Sequence, residues 1–139
     1  MKVTPDNITE LQPNQVFVFG SNIQGIHGKG AALTARKWGA VVGQGVGLMG
    51  RTYAIPTRTR IPHPTLTLFE TLPLPTISRH ILDFVRFAQA CPDKEFLVTP
   101  IGCGLADLEP EDLARFFRGA PPNVVLPRSF ILALERGAT

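Results

Sequence analysis

Short apolar segments alternate with segments of helical character along the chain, and this alternation constrains the fold more than any other feature. Each apolar run is rich in β-branched or aromatic residues and is bounded by glycine, proline or polar residues, which is typical of a buried strand. Strands are predicted at Val16–Phe19, Thr52–Ile55, Phe96–Thr99 and Val124–Leu126. Helices are predicted at Ala31–Trp38, Pro75–Cys91, Pro110–Arg118 and Ser129–Glu135. The alternation predicts an α/β fold with a largely parallel sheet.

Glycines and prolines indicate where several of these elements end. Gly39 is placed to terminate the first helix, and Pro56 is expected to end the second strand. The proline-rich segment 57–75 is expected to be irregular or edge structure, with a short extended piece at Leu66–Phe69. The helix that follows has apolar side chains at helical spacing, namely Ile77, Ile81, Phe84, Val85 and Ala88.

The size and composition of the chain predict a single domain over residues 1–139. With 44% hydrophobic and 18% charged residues, the chain can bury a core and lacks the composition of a disordered protein. No run of about 18 apolar residues predicts a membrane span, so no membrane partner is expected. The first ten residues lack the pattern of a secretion signal, and we expect a cytoplasmic protein.

The cysteines and histidines predict neither a disulfide framework nor a metal site. Cys91 and Cys103 are the only cysteines, and reduced thiols in a cytoplasm are the plainer interpretation. The three histidines are scattered at positions 27, 63 and 80, and no zinc-binding spacing is present. We therefore expect no metal and no cofactor.

Basic residues exceed acidic ones, which gives a net charge of +3. Ten of the 14 basic residues are arginines, spread from Arg36 to Arg136 without a dense run. A solvated surface explains this distribution, and attraction to a phosphate-bearing ligand is the functional alternative. The basic stripe with interleaved aromatic residues that binds single-stranded nucleic acid is not visible.

Two glycine-rich loops, residues 20–30 and residues 101–107, each follow a predicted strand and precede a predicted helix. Ligands of parallel sheets bind outside the carboxyl ends of the strands, where both loops are expected to lie. Glycine allows backbone N–H groups to turn toward an anion, and a following helix N-terminus adds partial positive charge. The two loops together predict a diphosphate site, whereas the alternative is that the glycines only permit tight turns.

A third glycine-rich segment matches a dinucleotide fingerprint by spacing alone. Residues 45–50 fit the pattern Gly-x-Gly-x-x-Gly, and Glu70 follows 20 residues later. The fingerprint requires a strand before it and a helix after it, whereas here a helix precedes and a strand follows. The sequence also lacks the Gly-x-x-x-x-Gly-Lys-Ser/Thr motif of P-loop proteins, so neither nucleotide-binding motif is predicted.

Three polar residues of the first loop have both a functional and a structural interpretation. Asn22 could contact a ribose or a base edge, or it could bond its own turn. His27 could bond a phosphate or act as an acid, and local packing is the alternative. Lys29 could pair with a phosphate or simply be solvated.

Two residues of the second loop are also open to two interpretations. Cys103 has no histidine near it in sequence, so a small residue fitting close to a ligand is the preferred interpretation over a nucleophile. Asp107 could orient a ribose hydroxyl or a water molecule, or it could cap the helix that begins near Pro110.

The two loops resemble a known family. The first contains Asn-x-x-Gly-x-His-Gly-x-Gly-Ala-Ala from Asn22 to Ala32, and the second contains Thr-Pro-Ile-Gly-Cys-Gly-Leu from Thr99 to Leu105. Together with the order of elements over residues 16–126, they resemble the macrodomain family, whose members bind ADP-ribose and related nucleotides. The second motif is similar to that of the branch with the terminal ADP-ribose protein glycohydrolases and the antitoxin that reverses DNA ADP-ribosylation. The chain also resembles small bacterial and phage proteins with the same two motifs.

The resemblance implies a three-layer α/β/α fold with a mixed, largely parallel sheet and a ligand-binding set. In that set, the backbone of both loops would cradle a diphosphate, with Asn22 near the distal ribose. The residues are Asn22, His27, Gly28, Lys29, Gly30, Ala31, Gly102, Cys103, Gly104 and Leu105.

The chain departs from the hydrolase branch at both catalytic positions. That branch has a nucleophilic lysine just after the strand equivalent to Thr52–Ile55, where this chain has Thr57 and Arg58. It also has an aspartate directly after Gly-Cys-Gly-Leu, where this chain has Ala106 and then Asp107. Because an arginine stays protonated, Arg58 cannot replace the lysine as a nucleophile. We expect the lysine–aspartate mechanism to be absent.

Three hypotheses about function follow. The first is a binding module for ADP-ribose or a related nucleotide. The second is a hydrolase that removes ADP-ribose from a modified macromolecule or cleaves a related nucleotide, with Asp107 as the catalytic residue that orients water. The third is an adaptor that binds protein or nucleic acid without a small ligand, because the fold by itself does not define a function.

Overall fold

The structure, a computed structural model, describes residues 2–137. Its strands are β1 (Gln15–Asn22), β2 (Gly47–Met49), β3 (Thr52–Ile61), β4 (Leu68–Thr71), β5 (Glu95–Val98) and β6 (Val124–Val125). Its helices are α1 (Gly30–Ala35), α2 (Leu74–Ala90), α3 (Pro110–Ala114) and α4 (Arg128–Arg136). Single 3₁₀ turns, Arg36–Trp38 and Arg115–Phe117, extend α1 and α3.

The described strands form one mixed sheet in the order β2-β3-β1-β5-β6, with β4 also paired to β3. The pairs β1–β3, β1–β5 and β5–β6 are parallel, whereas β2 and β4 are antiparallel to β3. This arrangement confirms the predicted α/β fold with a largely parallel sheet. The parallel arrangement aligns the carboxyl ends of β1, β3 and β5 at one edge.

Both faces of β1 are buried, which places the sheet between two helical layers. Side chains alternate between the faces of a strand, so Val16 and Val18 lie on one face and Phe17 and Phe19 on the other. The valine face packs against α2, α3 and α4, and the phenylalanine face packs against α1. The continuous apolar run in the sequence therefore reflects a strand that is covered on both sides.

Helix α2 confirms the helical pattern read from the sequence. All five predicted core residues, Ile77, Ile81, Phe84, Val85 and Ala88, are buried. Pro75 lies in the first turn, where a missing N–H costs no helical hydrogen bond. Gly39 likewise ends the first helical segment with a φ of +116°, which glycine adopts without strain.

The expectation that Pro56 ends the second strand is wrong. Strand β3 continues through Pro56 to Ile61 and then pairs with β4. Pro56 lies opposite Ser21, immediately before the register of the β1–β3 pairing becomes irregular. A register irregularity is one of the few places where a sheet tolerates a proline.

The segments flanking β3 are also more regular than the sequence indicated. The glycine-rich stretch 39–50 contains the short edge strand β2, which was not predicted. The expected extended piece at Leu66–Phe69 is β4, two residues further along. Strand β3 follows residues 45–50, so the structure agrees with the rejection of the dinucleotide fingerprint there. Within residues 2–137, no helix combines the length and apolar character that crossing a membrane requires.

Candidate functional site

A cavity of about 560 Å³ lies at the edge where β1, β3 and β5 end. Gly20, Ser21 and Asn22 of β1 form part of its wall, together with Thr57 of β3 and Thr99 after β5. The volume is in the range typical of small-molecule sites, and the position is the usual one for ligands of parallel sheets.

Both predicted glycine loops contribute to the wall of this cavity. The lining includes Asn22, Gly28, Lys29, Gly30, Ala31, Gly102, Gly104 and Leu105. The structure thus brings together most of the predicted ligand-binding set from segments about 70 residues apart. His27, Cys103 and Asp107 are not part of the lining.

A close backbone contact fixes the first loop in place. Gly25 lies so close to segment 39–50 that a Cβ on it would be 2.4 Å from the Gln44 nitrogen, and Gly45 lies equally tightly against the carbonyls of Asn22 and Ile23. The N–H of Gly43 donates to the carbonyl of Gly25 (3.0 Å), and the Ser21 hydroxyl donates to the carbonyl of Gly45. Gly43 and Gly45 of segment 39–50 therefore support the first loop.

Asn22 closes its own loop, as the structural interpretation proposed. Its side-chain amide donates to the carbonyl of Ile26 and accepts from the N–H of Ile26, both at 2.8 Å. The residue lies in the cavity wall and is buried. These two hydrogen bonds of the Asn22 side chain fix the path of the backbone toward Gly28.

His27 packs locally behind the cavity. The side chain is 1% exposed, its edge contacts the ring of Phe19, and Nε2 lies 2.9 Å from the carbonyl of Gln44. Because a carbonyl accepts and does not donate, the proton is assigned to Nε2. His27 thus connects the first loop to segment 39–50.

The second loop lies against the end of β1. Gly20 allows this approach, since a Cβ there would be 3.3 Å from the nitrogen of Gly102. Gly102 itself has a φ of +75°, and its carbonyl accepts from the N–H of Leu108 (2.7 Å). The hydroxyl of Thr71 in β4 donates to the carbonyl of Ala106 (2.8 Å), which joins the loop to the β3–β4 hairpin.

Cys103 has the properties of a packing residue. Its side chain is half-buried against the main apolar core. Burial, with smaller contributions from the negative charges of Glu109, Asp112 and Glu111, raises the pKa of the thiol to about 11. The thiol is therefore protonated at neutral pH and is a poor nucleophile there.

Asp107 is exposed and lies outside the cavity wall, while its neighbour Ala106 is part of it. Its φ of +58° and the bond from its N–H to the carbonyl of Gly104 (3.0 Å) place it in a tight turn. The capping interpretation is wrong, because the N-cap of α3 is Glu109, whose N–H donates to Asp112 (2.9 Å).

The charged side chains of the cavity wall are both positive. Lys29 and Arg58 line it, and no aspartate or glutamate among residues 2–137 does. Within residues 2–137, neither cation forms an ion pair. The guanidinium of Arg58 lies over the ring of Phe69, 4.4 Å from its centroid, and burial lowers the pKa of Arg58. The wall therefore attracts anions.

One wall of the cavity comes from the β3–β4 hairpin, which sequence reasoning treated as irregular. Thr67, Leu68 and Phe69 line the cavity from this hairpin. The alternation of threonine and arginine from Thr57 to Ile61 is a pattern that indicates a strand. The prolines on both sides of it favoured irregular structure instead. With Ile26 and Leu105, the hairpin gives the cationic cavity an apolar side.

The fold and the cavity define the class: an α/β protein with a positively charged, glycine-lined cavity at the carboxyl edge of its sheet. Comparison of the chain with protein-family models, with curated proteins and with solved structures finds no match in any of the three. The resemblance to macrodomains therefore rests on the residues of the two loops.

Replacing Gly45 with alanine is expected to destabilise the protein. The new Cβ would lie 2.0 Å from the carbonyl oxygen of Asn22, so the first loop must move. We expect the free energy of unfolding, measured by chemical denaturation, to fall by about 1–3 kcal/mol. Gly119→Ala is the control, since its Cβ meets nothing within 4 Å, and its effect should stay within about 0.5 kcal/mol. Equal stability of the two variants would contradict the tight contact.

Alkylation of Cys103 is expected to be slow and strongly pH-dependent. In a Cys91→Ala variant, the iodoacetamide reaction rate should still be rising at pH 10 and reach half of its maximum only near pH 11, since the thiolate is the reactive form. The same variant unfolded in guanidinium provides the control and should be half-maximal at about pH 8.5. A midpoint below about pH 9 in the folded protein would show that Cys103 is not buried as described.

Proposed function

We propose that this protein binds ADP-ribose or a related nucleotide diphosphate in the cavity, without hydrolysing it there. The observation that carries the proposal is a cavity wall that combines two glycine loops with two cations and, in the part of the chain that the structure describes, no carboxylate. An anionic ligand is the chemistry that such a wall favours.

The backbone of the two loops supports recognition of phosphate. Among residues 2–137, the N–H groups of Gly28, Gly30, Gly102 and Gly104 donate no hydrogen bond to a protein acceptor. All four glycines line the cavity. Backbone donors of this kind can bind phosphate oxygens without a side chain in the way. Lys29 and Arg58 would add charge-assisted bonds to the same groups.

The apolar side of the cavity supports a ligand that has apolar groups in addition to its phosphates. Ile26, Leu68, Phe69 and Leu105 line it beside the polar loops. A nucleotide has this combination, since its base and sugar present apolar surface and its phosphates carry the charge. Binding sites with mostly apolar walls and a few placed polar groups are typical for such ligands.

The side chains of the wall support binding over hydrolysis. Among residues 2–137, no lining residue has a carboxylate, an imidazole or a thiol. The hydroxyls of Ser21, Thr57, Thr67 and Thr99 therefore have no carboxylate or imidazole in the wall that could activate them as nucleophiles. Lys29 is exposed, whereas a nucleophilic lysine requires desolvation or a neighbouring cation. Asp107, the candidate of the hydrolase hypothesis, lies outside the lining. No observation of the described residues favours the adaptor hypothesis.

Calorimetric titration with ADP-ribose, ADP, AMP and adenosine tests the proposal, together with chromatography of the mixtures after incubation. We expect ADP-ribose to bind more tightly than adenosine, with the difference decreasing as salt increases, and to be recovered intact. Equal affinity for adenosine and ADP-ribose would contradict phosphate recognition. Release of AMP or ribose 5-phosphate would support the hydrolase hypothesis instead.

Arg58→Ala is expected to weaken ADP-ribose binding about 10- to 100-fold, because a hydrogen bond to a charged group contributes about 1.5–3 kcal/mol. Arg60→Ala is the matched control: it removes the same charge from the same strand, but Arg60 is exposed and does not line the cavity. Calorimetry of both variants compares the two dissociation constants. An equal loss of ADP-ribose affinity in both variants would mean that binding depends only on the net charge of the protein and would contradict a contact with Arg58.

A further inference from the structure

The β3–β4 hairpin holds an arginine and a phenylalanine together in the cavity wall. Arg58 lies opposite Thr71 in the antiparallel pairing, and Phe69 lies opposite Arg60. Residues two apart on a strand share a face, so Arg58 and Phe69 are diagonal neighbours on one face. The guanidinium carbon of Arg58 is 4.4 Å from the centroid of the Phe69 ring.

This arginine is held without a carboxylate. A charged group that is removed from water is ordinarily paired with an opposite charge, and a carboxylate partner would neutralise a guanidinium and occupy its donors. Arg58 has no ion pair within residues 2–137, and no acid lines the cavity. The aromatic face of Phe69 attracts the cation but takes none of its five N–H donors. The donors stay available to a ligand.

The hairpin is itself bonded to both glycine loops. The Thr71 hydroxyl donates to the carbonyl of Ala106 in the second loop (2.8 Å). On the other side, the Gln24 amide of the first loop donates to the Thr59 hydroxyl (3.0 Å) and accepts from the N–H of Arg60 (2.9 Å). These bonds fix the strands that carry Arg58 and Phe69 relative to the predicted phosphate loops.

We propose that Phe69 is a positioning residue that determines specificity for phosphate: its ring holds the guanidinium of Arg58 in the cavity, ready to bind an anionic group. The proposal rests on the proposed function, since it assigns a role within the same site. A guanidinium that is already ordered loses less conformational entropy on binding, which increases affinity. The benefit applies to ligands with a phosphate and is absent for an uncharged nucleoside.

A double-mutant cycle tests this role, with ADP-ribose and adenosine as the two probes. Phe69→Leu keeps an apolar side chain but removes the aromatic face, and should weaken ADP-ribose binding about two- to ten-fold. Adenosine affinity should change much less. Phe69→Tyr should restore ADP-ribose binding, because the ring face is kept. In an Arg58→Ala background, Phe69→Leu should have no further effect.

Phe116→Leu provides the matched control. Arg115 lies over the ring of Phe116 at 4.8 Å, but neither residue lines the cavity, so the same substitution there should leave ADP-ribose affinity unchanged. Thermal unfolding of each variant checks that the chain is folded.

The outcomes separate the two proposals. If the wild-type protein binds ADP-ribose but Phe69→Leu weakens ADP-ribose and adenosine equally, Phe69 is only part of the wall and the positioning role is wrong. The same conclusion follows if the loss persists in the Arg58→Ala background, or if Phe69→Leu binds ADP-ribose like the wild type. If the wild-type protein binds no nucleotide, the proposed function itself fails, and the positioning role fails with it.

Discussion

The parallel pairing of β1 with β3 and β5 is the interaction on which the rest of the molecule depends. β1 is bonded on both edges and buried on both faces, so it joins the two halves of the core. The same pairing aligns the carboxyl ends of three strands. The cavity follows from this alignment, because Gly20 near the end of β1, Thr57 within β3 and Thr99 after β5 form part of its wall at one edge of the sheet.

Close backbone contacts at glycines hold the loops of the cavity wall in place. Gly45 approaches the carbonyl of Asn22 in the first loop, and Gly20 lets Gly102 of the second loop approach β1. Glycines of the chain therefore differ in their structural roles. Gly45 supports a loop, Gly20 allows two segments to approach each other, and Gly28 and Gly104 have open space where a Cβ would be. The sequence motif does not distinguish these roles, whereas the structure does.

The core and the position of the cavity between the two glycine loops were predictable from the sequence, because both depend on local patterns. The alternating burial of Val16–Phe19 and the spacing of apolar residues in α2 are properties of single elements. The hairpin was not predictable in the same way. Pro56 was expected to end β3, but its place in the strand depends on the register with β1, which is a non-local property.

Side-chain roles within the loops were the least predictable part. Asn22 and His27 have the residue types of a ligand site, yet both bond to backbone carbonyls of the protein. Asp107 and Ala106 differ by one position, and the turn at Gly104 decides which of them lines the cavity. Arg58 lies over the ring of Phe69, a neighbour across the hairpin that no sequence spacing identifies.

The most direct test of the account is the position at which ADP-ribose binds, measured by two-dimensional ¹⁵N–¹H NMR during a titration. The account predicts that the largest shifts occur at the backbone amides of Gly28–Ala31 and Gly102–Leu105 and at the Arg58 guanidinium. Amides of β6 and α4, outside the cavity wall, should stay unchanged. Shifts confined to other surfaces, or none at millimolar ADP-ribose, would contradict the assignment of this cavity as a nucleotide site.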